Sequence, residues 1–543
     1  MRNILLLYTD PQYLVNQVYP LGLDRIAASL RSHGYEVQLD YPFLPGPSVA
    51  QNLAATISRF RPHCIGLGIR NIDTTMACEA YGNFHGPGFS TRYFLPEIKT
   101  ICSWLKSELP DVPLVAGGGG FTISPEAMLE ELGLDFGIRG EGELAFAEFL
   151  RCWPDKNKVK TIPGLVWREQ GGGSNPRLLY TFDKPLSWHR EPSFRYALEH
   201  VALPVQLKRG CNQGCSFCVE PMLEGRRIVH RPVAEVIEEL EQYASTYTDV
   251  RKIFFVDTEF NIPDLTYATA LVEGLVQAGL HERFRFASQF LPRPFTPEFA
   301  RLLQQADFSL IFTCDSFADP VLAQNGMSYR QEDILRTLDI CEKLGLDHTV
   351  DLIFGLPGET RKTLDETLSL MLDRPPTSWR RYEYTIGARI YQGTPLHRMV
   401  QNNASQEEAH IHGRMTPGML EPCFYCSPKP PLDLKEDIDA VLPFALEFRN
   451  GSDEAARQRL GVRWLADQHR WDETAQHFFE LDTKSQAAVY GYVFKSLVRE
   501  NQIDMARSLL EYVWQELTDQ GGFDQELAMV GHFLGLLNEM ETP

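Results

Sequence analysis

The sequence predicts an α/β chain made of two parallel-sheet units followed by a mainly helical region. Three observations carry that prediction. Short aliphatic runs alternate with amphipathic stretches over residues 1 to about 160, the rhythm returns from about Leu203, and from about Gly413 the pattern turns helical.

In the front unit the strand candidates are Ile4 to Tyr8, Glu36 to Leu39, Cys64 to Ile69, Pro113 to Ala116 and Asp135 to Ile138. Between the first two, Leu23, Ile26, Ala27 and Leu30 recur on one helical face and Gly34 supplies a stop. Five such strands make a doubly wound sheet, in which ligands bind beyond the carboxyl ends of the strands. The segments in those positions are Arg70-Asn71-Ile72-Asp73 with a Gly- and aromatic-rich loop from Tyr81 to Tyr93, then Gly117 to Gly120, then Gly140-Glu141-Gly142-Glu143. This unit is assigned residues 1–165. A connector with room for a hairpin, rich in Gly and Pro, follows over 166–200.

The second unit, residues 201–395, has strand candidates at Pro204 to Lys208, Lys252 to Val256, Phe284 to Ser288, Ser309 to Thr313, Thr349 to Phe354 and Arg381 to Ala388. Six parallel strands with intervening helices suit an incomplete (β/α)6 barrel. Residues 396–543 form the last region, where Ala487, Tyr490, Val493 and Leu497 repeat at helical spacing. Too few copies are present for a solenoid, so a helical cap on the barrel is expected.

The most specific signal is KRGCNQGCSFCVEP, which follows a strand directly and places Cys211, Cys215 and Cys218 within one short loop. Thiolates are the soft ligands that iron–sulfur clusters require, and three of them leave one iron open to a small molecule. A zinc site fits less well, because zinc knuckles favour paired ligands and no second ligand pair follows nearby.

This loop resembles that of the radical SAM superfamily, with Phe217 before the last cysteine also in the family's style. The resemblance implies a 4Fe-4S cluster held by Cys211, Cys215 and Cys218, with S-adenosylmethionine on its open iron. It also implies S-adenosylmethionine contacts from Asp257 and Glu259 in FFVDTEFN, from Gly355 to Glu359 in DLIFGLPGET, and from Gly387 to Thr394 in GARIYQGT, Arg389 included. The front unit, with GIRNID, VAGGGGFTISPE and DFGIRGEGE, is similar to the Rossmann-like cobalamin-binding half of the cobalamin-dependent members. That likeness brings Arg70, Asn71, Asp73, Gly117, Gly118, Gly119, Gly120, Gly140, Glu141, Gly142 and Glu143 to cobalamin. The resemblance spans roughly residues 1 to 395.

One departure matters. Many such domains present Asp-x-His-x-x-Gly after the first strand, and here the loop is Thr9-Asp10-Pro11-Gln12-Tyr13-Leu14, without a histidine to ligate cobalt. Cobalamin is then expected without a protein imidazole, with Arg70 near its lower face and catalytically important. The alternative for Arg70 is a structural ion pair with Asp73.

The implied activity is methyl transfer to a carbon centre of a small molecule or peptide. The FLPEIKTICSWLKSELPDVPLVAGGGGFTISPE stretch is most similar to members that methylate the indole of tryptophan. Ring formation, rearrangement or oxidation by the same cofactors is the alternative within enzymes, and a cofactor-carrying scaffold or sensor the alternative outside them. An electron donor such as flavodoxin or ferredoxin is the expected protein partner.

Composition narrows the setting. A formal net charge of −20 with no Lys/Arg-rich run argues against nucleic acid as partner. MRNILLLYTD is too short for a membrane span and lacks a cleavage site, and eleven irregularly spaced cysteines do not read as a disulfide framework, so a reducing cytoplasm is expected. Cys423 and Cys426 form a CxxC without further ligands and are expected to be buried near the barrel mouth, while His410 and His412 are expected as an exposed loop pair.

Overall fold

The computed structural model describes residues 3–11, 19–43, 48–79, 82–168, 171–177, 202–248, 250–403, 407–443, 447–448 and 454–541. Gln12, Tyr13 and Leu14 of the first loop, Tyr81, and most of the connector lie outside them.

The front unit is the doubly wound sheet that the aliphatic runs imply. Strands β1 (Asn3–Tyr8), β2 (Glu36–Asp40), β3 (Cys64–Gly68), β4 (Leu114–Gly117) and β5 (Phe136–Ile138) lie parallel in the order β2-β1-β3-β4-β5. Ile4 to Tyr8 and all of β3 are buried, as unalternating apolar strands must be when helices cover both faces. Helix Leu21–Ser32 turns Leu23, Ala27 and Leu30 onto the sheet, and Val49–Phe60 starts on a Ser48–Gln51 capping box. The strand order reverses between β1 and β3, which opens a crevice at their carboxyl ends.

The hairpin expected in the connector forms from β6 (Leu165–Trp167) and β7 (Gly173–Ser174). It joins the edge of β5 antiparallel, so residues past 165 still belong to the first sheet.

The second unit places β8 (Leu203–Val205), β9 (Lys252–Phe255), β10 (Arg285–Phe290), β11 (Phe308–Asp315), β12 (His348–Phe354) and β13 (Arg380–Ile386) side by side in sequence order, all parallel. Along β11 the buried set Leu310, Phe312 and Cys314 meets the helices, as the Phe312–Phe295–Phe299 ring contacts show. The alternate set, including Thr313 and Asp315, faces the concave side.

Beyond β13, β14 (Ala388–Arg389), β15 (Ile411–Gly413) and β16 (Cys423–Tyr425) form an antiparallel sheet with β16 in the middle. This sheet corrects the expectation for HIHGRM, since His412 is buried on β15 with its Nε2 3.4 Å from the Cys426 carbonyl. A further strand, β17 (Glu447–Phe448), adds parallel to β13; two residues carry no readable period.

Five helices, Glu454–Asp467, Trp471–Phe479, Thr483–Arg499, Ile503–Gln520 and Asp524–Glu541, complete the described chain. Tyr490, Val493 and Leu497 pack into their shared core, and Ala466 and Tyr492 join the core of the sheets, which makes this region a cap. Among the described residues no helix is long and apolar enough to cross a membrane.

Candidate functional site

The cysteine loop leaves β8 and is fastened on all sides. Gly210 has φ +94°, and a Cβ there would stand 2.0 Å from the Arg227 carbonyl, so only glycine lets the two backbones meet. Gly210 donates to Glu224 Oε2 at 3.0 Å and Cys211 to the Gly225 carbonyl at 3.0 Å. Ser216 donates from its backbone to the Asn325 carbonyl at 3.0 Å and from its hydroxyl to Asn325 Oδ1 at 2.6 Å. Cys211 is buried and Cys215 and Cys218 are half-buried. Burial pushes all three thiols up, Cys218 to about 12, so a metal that takes them as thiolates must displace their protons. Among the described residues no three metal-ligating side chains already converge on one point.

At the barrel mouth Glu259 accepts from Thr313 Oγ1 at 2.9 Å through one oxygen, while its other oxygen is buried without a hydrogen-bond partner. Burial pushes this carboxyl up to about 7. Asp257, expected beside it at S-adenosylmethionine, accepts from the backbone N–H groups of Leu207 and Lys208 at 2.8 and 2.9 Å and so pins the end of β8. Glu359 likewise accepts from the Gly355 N–H and shapes its own turn. Gly355 has φ +86°, and a Cβ there would meet Cys426 Sγ at 2.5 Å, so the buried CxxC strand is packing material for this turn.

The carboxyl edge of the first sheet faces this loop. Gly118 has φ +101°, and Cβ atoms on Gly118 and Gly120 would come within 2.4 Å of the Ile69 carbonyl and 2.8 Å of the Arg70 carbonyl. Those two glycines let the loops after β3 and β4 close on each other. Gly117 and Gly119 have more room, and the nearest side chain to Gly119 is Leu223, on the short helix that follows the cysteines.

Arg70 is 49% exposed and lies 3.8 Å from the buried Asp10 carboxylate; Asn71 beside it is half-buried. The alternative of an Arg70–Asp73 pair is therefore corrected. Asp73 is bonded at 2.9 Å to Arg389, and Arg389 also donates to the Met419 and Ile390 carbonyls. Residues that the resemblance assigned to two different cofactors thus hold each other, buried between the two units. The acidic loop after β5 behaves alike. Gly140 takes a left-handed φ of +83°, Gly142 caps helix Glu143–Cys152, and Glu141 and Glu143 reach Arg209 at 3.1 and 2.8 Å. Arg209 stands two residues before Cys211. Against the cost of burial, its guanidinium holds the Glu143 carboxyl below the usual range.

Comparison with known proteins gives this geometry a family. The model of the radical SAM superfamily matches residues 205–371, and that of the B12 binding domain matches residues 13–150. Residues 205–371 thus form a radical SAM domain, and residues 13–150 a B12-binding domain in front of it.

Tryptophan 2-C-methyltransferase of Streptomyces laurentii is 25% identical over 435 residues, 68% of this chain and 70% of that protein. The structure of the methyltransferase TsrM from Kitasatospora setae, with tryptophan and a SAM analogue bound, superposes with a TM-score of 0.71 at 20% identity, over 88% of this chain and 99% of that one. The cobalamin-dependent enzyme OxsB, with aqua-cobalamin and S-adenosylmethionine bound, gives 0.64 at 15% identity, over 98% and 84%. These structural likenesses show the fold.

The cofactors that go with this radical SAM enzyme are a 4Fe-4S cluster, S-adenosylmethionine and cobalamin. The donor set fits them: three thiols on one loop suit the cluster, and the leftover oxygen of Glu259 suits an ammonium group. Sequence reasoning missed several residues here. Lys208 is buried and donates to Thr258 through its Nζ at 2.6 and 2.7 Å. Asp315 sits at φ +57° where the β11–β12 register shifts, accepts from Tyr329 Oη at 2.6 Å, and is pushed by burial to about 8. An aspartate ending a barrel strand was the available signal.

Proposed function

We propose that this radical SAM enzyme is a cobalamin-dependent methyltransferase acting on a carbon centre of a small molecule or peptide, with an indole such as tryptophan as the substrate class. The observation that carries the reading is the meeting of two edges: Gly119 of the first sheet stands against Leu223, five residues after the last cysteine. A substrate held there lies between the two cofactor-bearing units, which is the arrangement that turns a bimolecular transfer into a positioned one. The methyltransferase relative at 25% identity supports methyl transfer and the indole.

Roles follow from the site. Cys211, Cys215 and Cys218 hold the cluster. The unpaired Glu259 oxygen receives the ammonium of S-adenosylmethionine, Gly355 and Gly387 give its adenosine end close backbone approach, and Asp257, Glu359 and Arg389 hold the surrounding turns. Gly117, Gly119, Arg70 and Asn71, at the carboxyl edge of the first sheet, would hold the cobalamin. Bound there, the cluster supplies the electron that splits the sulfonium and cobalamin carries the methyl group. A reducing cytoplasm and a protein electron donor complete the reading.

The test follows the methyl group. Anaerobic turnover with methyl-labelled S-adenosylmethionine and tryptophan is expected to put label in the product and to release one S-adenosylhomocysteine per methylation. Deoxyadenosine without S-adenosylhomocysteine and without product label would assign the chain to ring formation, rearrangement or oxidation instead.

A further inference from the structure

The short helix Glu220–Leu223, which follows the last cysteine, is wedged between the two units. Leu223 meets Gly119 of the first sheet, Met222 meets Gly393 of the loop after β14, and Arg177 of the connector donates to the carbonyls of both Met222 and Leu223. On the loop after β14, Tyr391 is held just as firmly: its carbonyl accepts from the Thr394 hydroxyl at 2.8 Å, and the Arg389 guanidinium lies 5.3 Å from its ring centre. Two polar tips are left over at this seam. Glu220 and Tyr391 are half-buried, yet among the described residues neither the carboxylate nor the phenol has a hydrogen bond or an ion pair, and neither tip is sealed in the core. The charge of Glu220 bears on the Tyr391 hydroxyl, so the two face one region. The cations nearby are engaged elsewhere: Arg389 with Asp73, Arg70 with Asp10 and Lys208 with Thr258. A half-buried carboxylate on a fixed backbone, with no donor from its own chain, takes its donor from what enters the gap.

We propose that Glu220 and Tyr391 are specificity-determining residues of the substrate gap and that what they receive is an amine: the carboxylate accepts one ammonium N–H of the substrate and the phenol oxygen a second. An ammonium carries three donors and no acceptor, which matches two acceptors set side by side, whereas a substrate carboxylate would meet Glu220 as a like charge. The inference rests on the reading of that gap as the substrate site. No bond is made or broken in this step.

The test compares tryptophan with its desamino analogue, an indole propionate that lacks only the amine, by equilibrium dialysis against the cofactor-loaded protein. The parent is expected to hold tryptophan about tenfold more tightly than the analogue. Glu220→Gln is expected to lower tryptophan affinity about tenfold and Tyr391→Phe about fivefold, with the analogue held within about twofold of the parent in both variants. Residues that only supported the fold would weaken both ligands together and lower the unfolding midpoint. A preference for the amine that survives in both variants overturns the proposal, and so does a parent that binds the two ligands equally or binds neither. Iron content is read alongside: if Glu220→Gln loses its cluster, Tyr391→Phe, on a different loop, decides. The methyl-label experiment separates premise from inference. Label entering product with no preference for the amine keeps the proposed function and removes this assignment, while an amine preference that the variants abolish, with no label in product, keeps the assignment and removes methyl transfer.

Discussion

On the first sheet the loops after β3 and β5 carry Asp73, Glu141 and Glu143, and arginines of the second unit take all three. On the barrel, the loop after β9 carries Glu259, one of whose oxygens is buried without a hydrogen-bond partner among the described residues, and the loop after β8 carries the three free thiols. Both loop sets stand at the carboxyl edges of parallel sheets, where binding residues are expected. The difference lies in what each edge faces. Where an edge abuts another unit of the same chain, its charged residues become the fastening, and only groups aimed into the gap remain for a ligand.

The largest effect that sharpens this contrast belongs to the barrel edge. Replacing Cys211, Cys215 and Cys218 with alanine is expected to remove the cluster completely, with loss of about four irons and four sulfides and of the charge-transfer absorbance after anaerobic reconstitution. Full iron content in the triple variant would mean that the ligands lie elsewhere.

A smaller effect belongs to the fastening. Arg389→Ala leaves the Asp73 carboxylate buried without its guanidinium, and losing one member of such a pair is expected to cost about 3 to 5 kcal/mol in a denaturant or thermal titration. Arg209→Ala exposes the same logic with less burial, since Glu141 and Glu143 are 18% and 12% exposed, and its expected cost is about half as large. If either variant keeps its stability but loses S-adenosylmethionine or cobalamin affinity, the residue is a ligand contact after all, and the contrast between the edges collapses at that point.

This contrast also explains what could be read in the sequence. The unalternating runs ILLLY and CIGLG could only be buried parallel strands, and the six barrel strands announced themselves through runs such as KIFF and FSLIFTC. The cysteine triplet was legible because spacing alone specifies it. Asp73, Arg389, Glu141 and Glu143 were legible as belonging to the carboxyl edges, yet their partners lie up to 316 residues away in the chain, and no local pattern records such a pairing. The backbone role of Asp257 was not legible for a related reason: a carboxylate after a strand can also serve the neighbouring strand's free N–H groups. Glu259, two residues on, differs from it only in where the chain turns.

Arg70 offers the finest test, because its two possible roles predict effects of opposite kind. Its guanidinium is half exposed and 3.8 Å from the buried Asp10, so this pair is longer and wetter than the Arg389–Asp73 pair. Arg70→Ala is therefore expected to lower the unfolding midpoint less than Arg389→Ala does. Arginine also fills space that alanine would open to water, and lysine would keep the charge but lose the planar fork. On the reading that Arg70 lies at the lower face of the corrin, Arg70→Ala is expected to shift the paramagnetic resonance spectrum of bound cobalamin toward a water-ligated form and to slow methyl transfer. Arg70→Lys is expected to fall between. An unchanged spectrum together with an unfolding midpoint lowered as far as in Arg389→Ala would place Arg70 with the fastening residues.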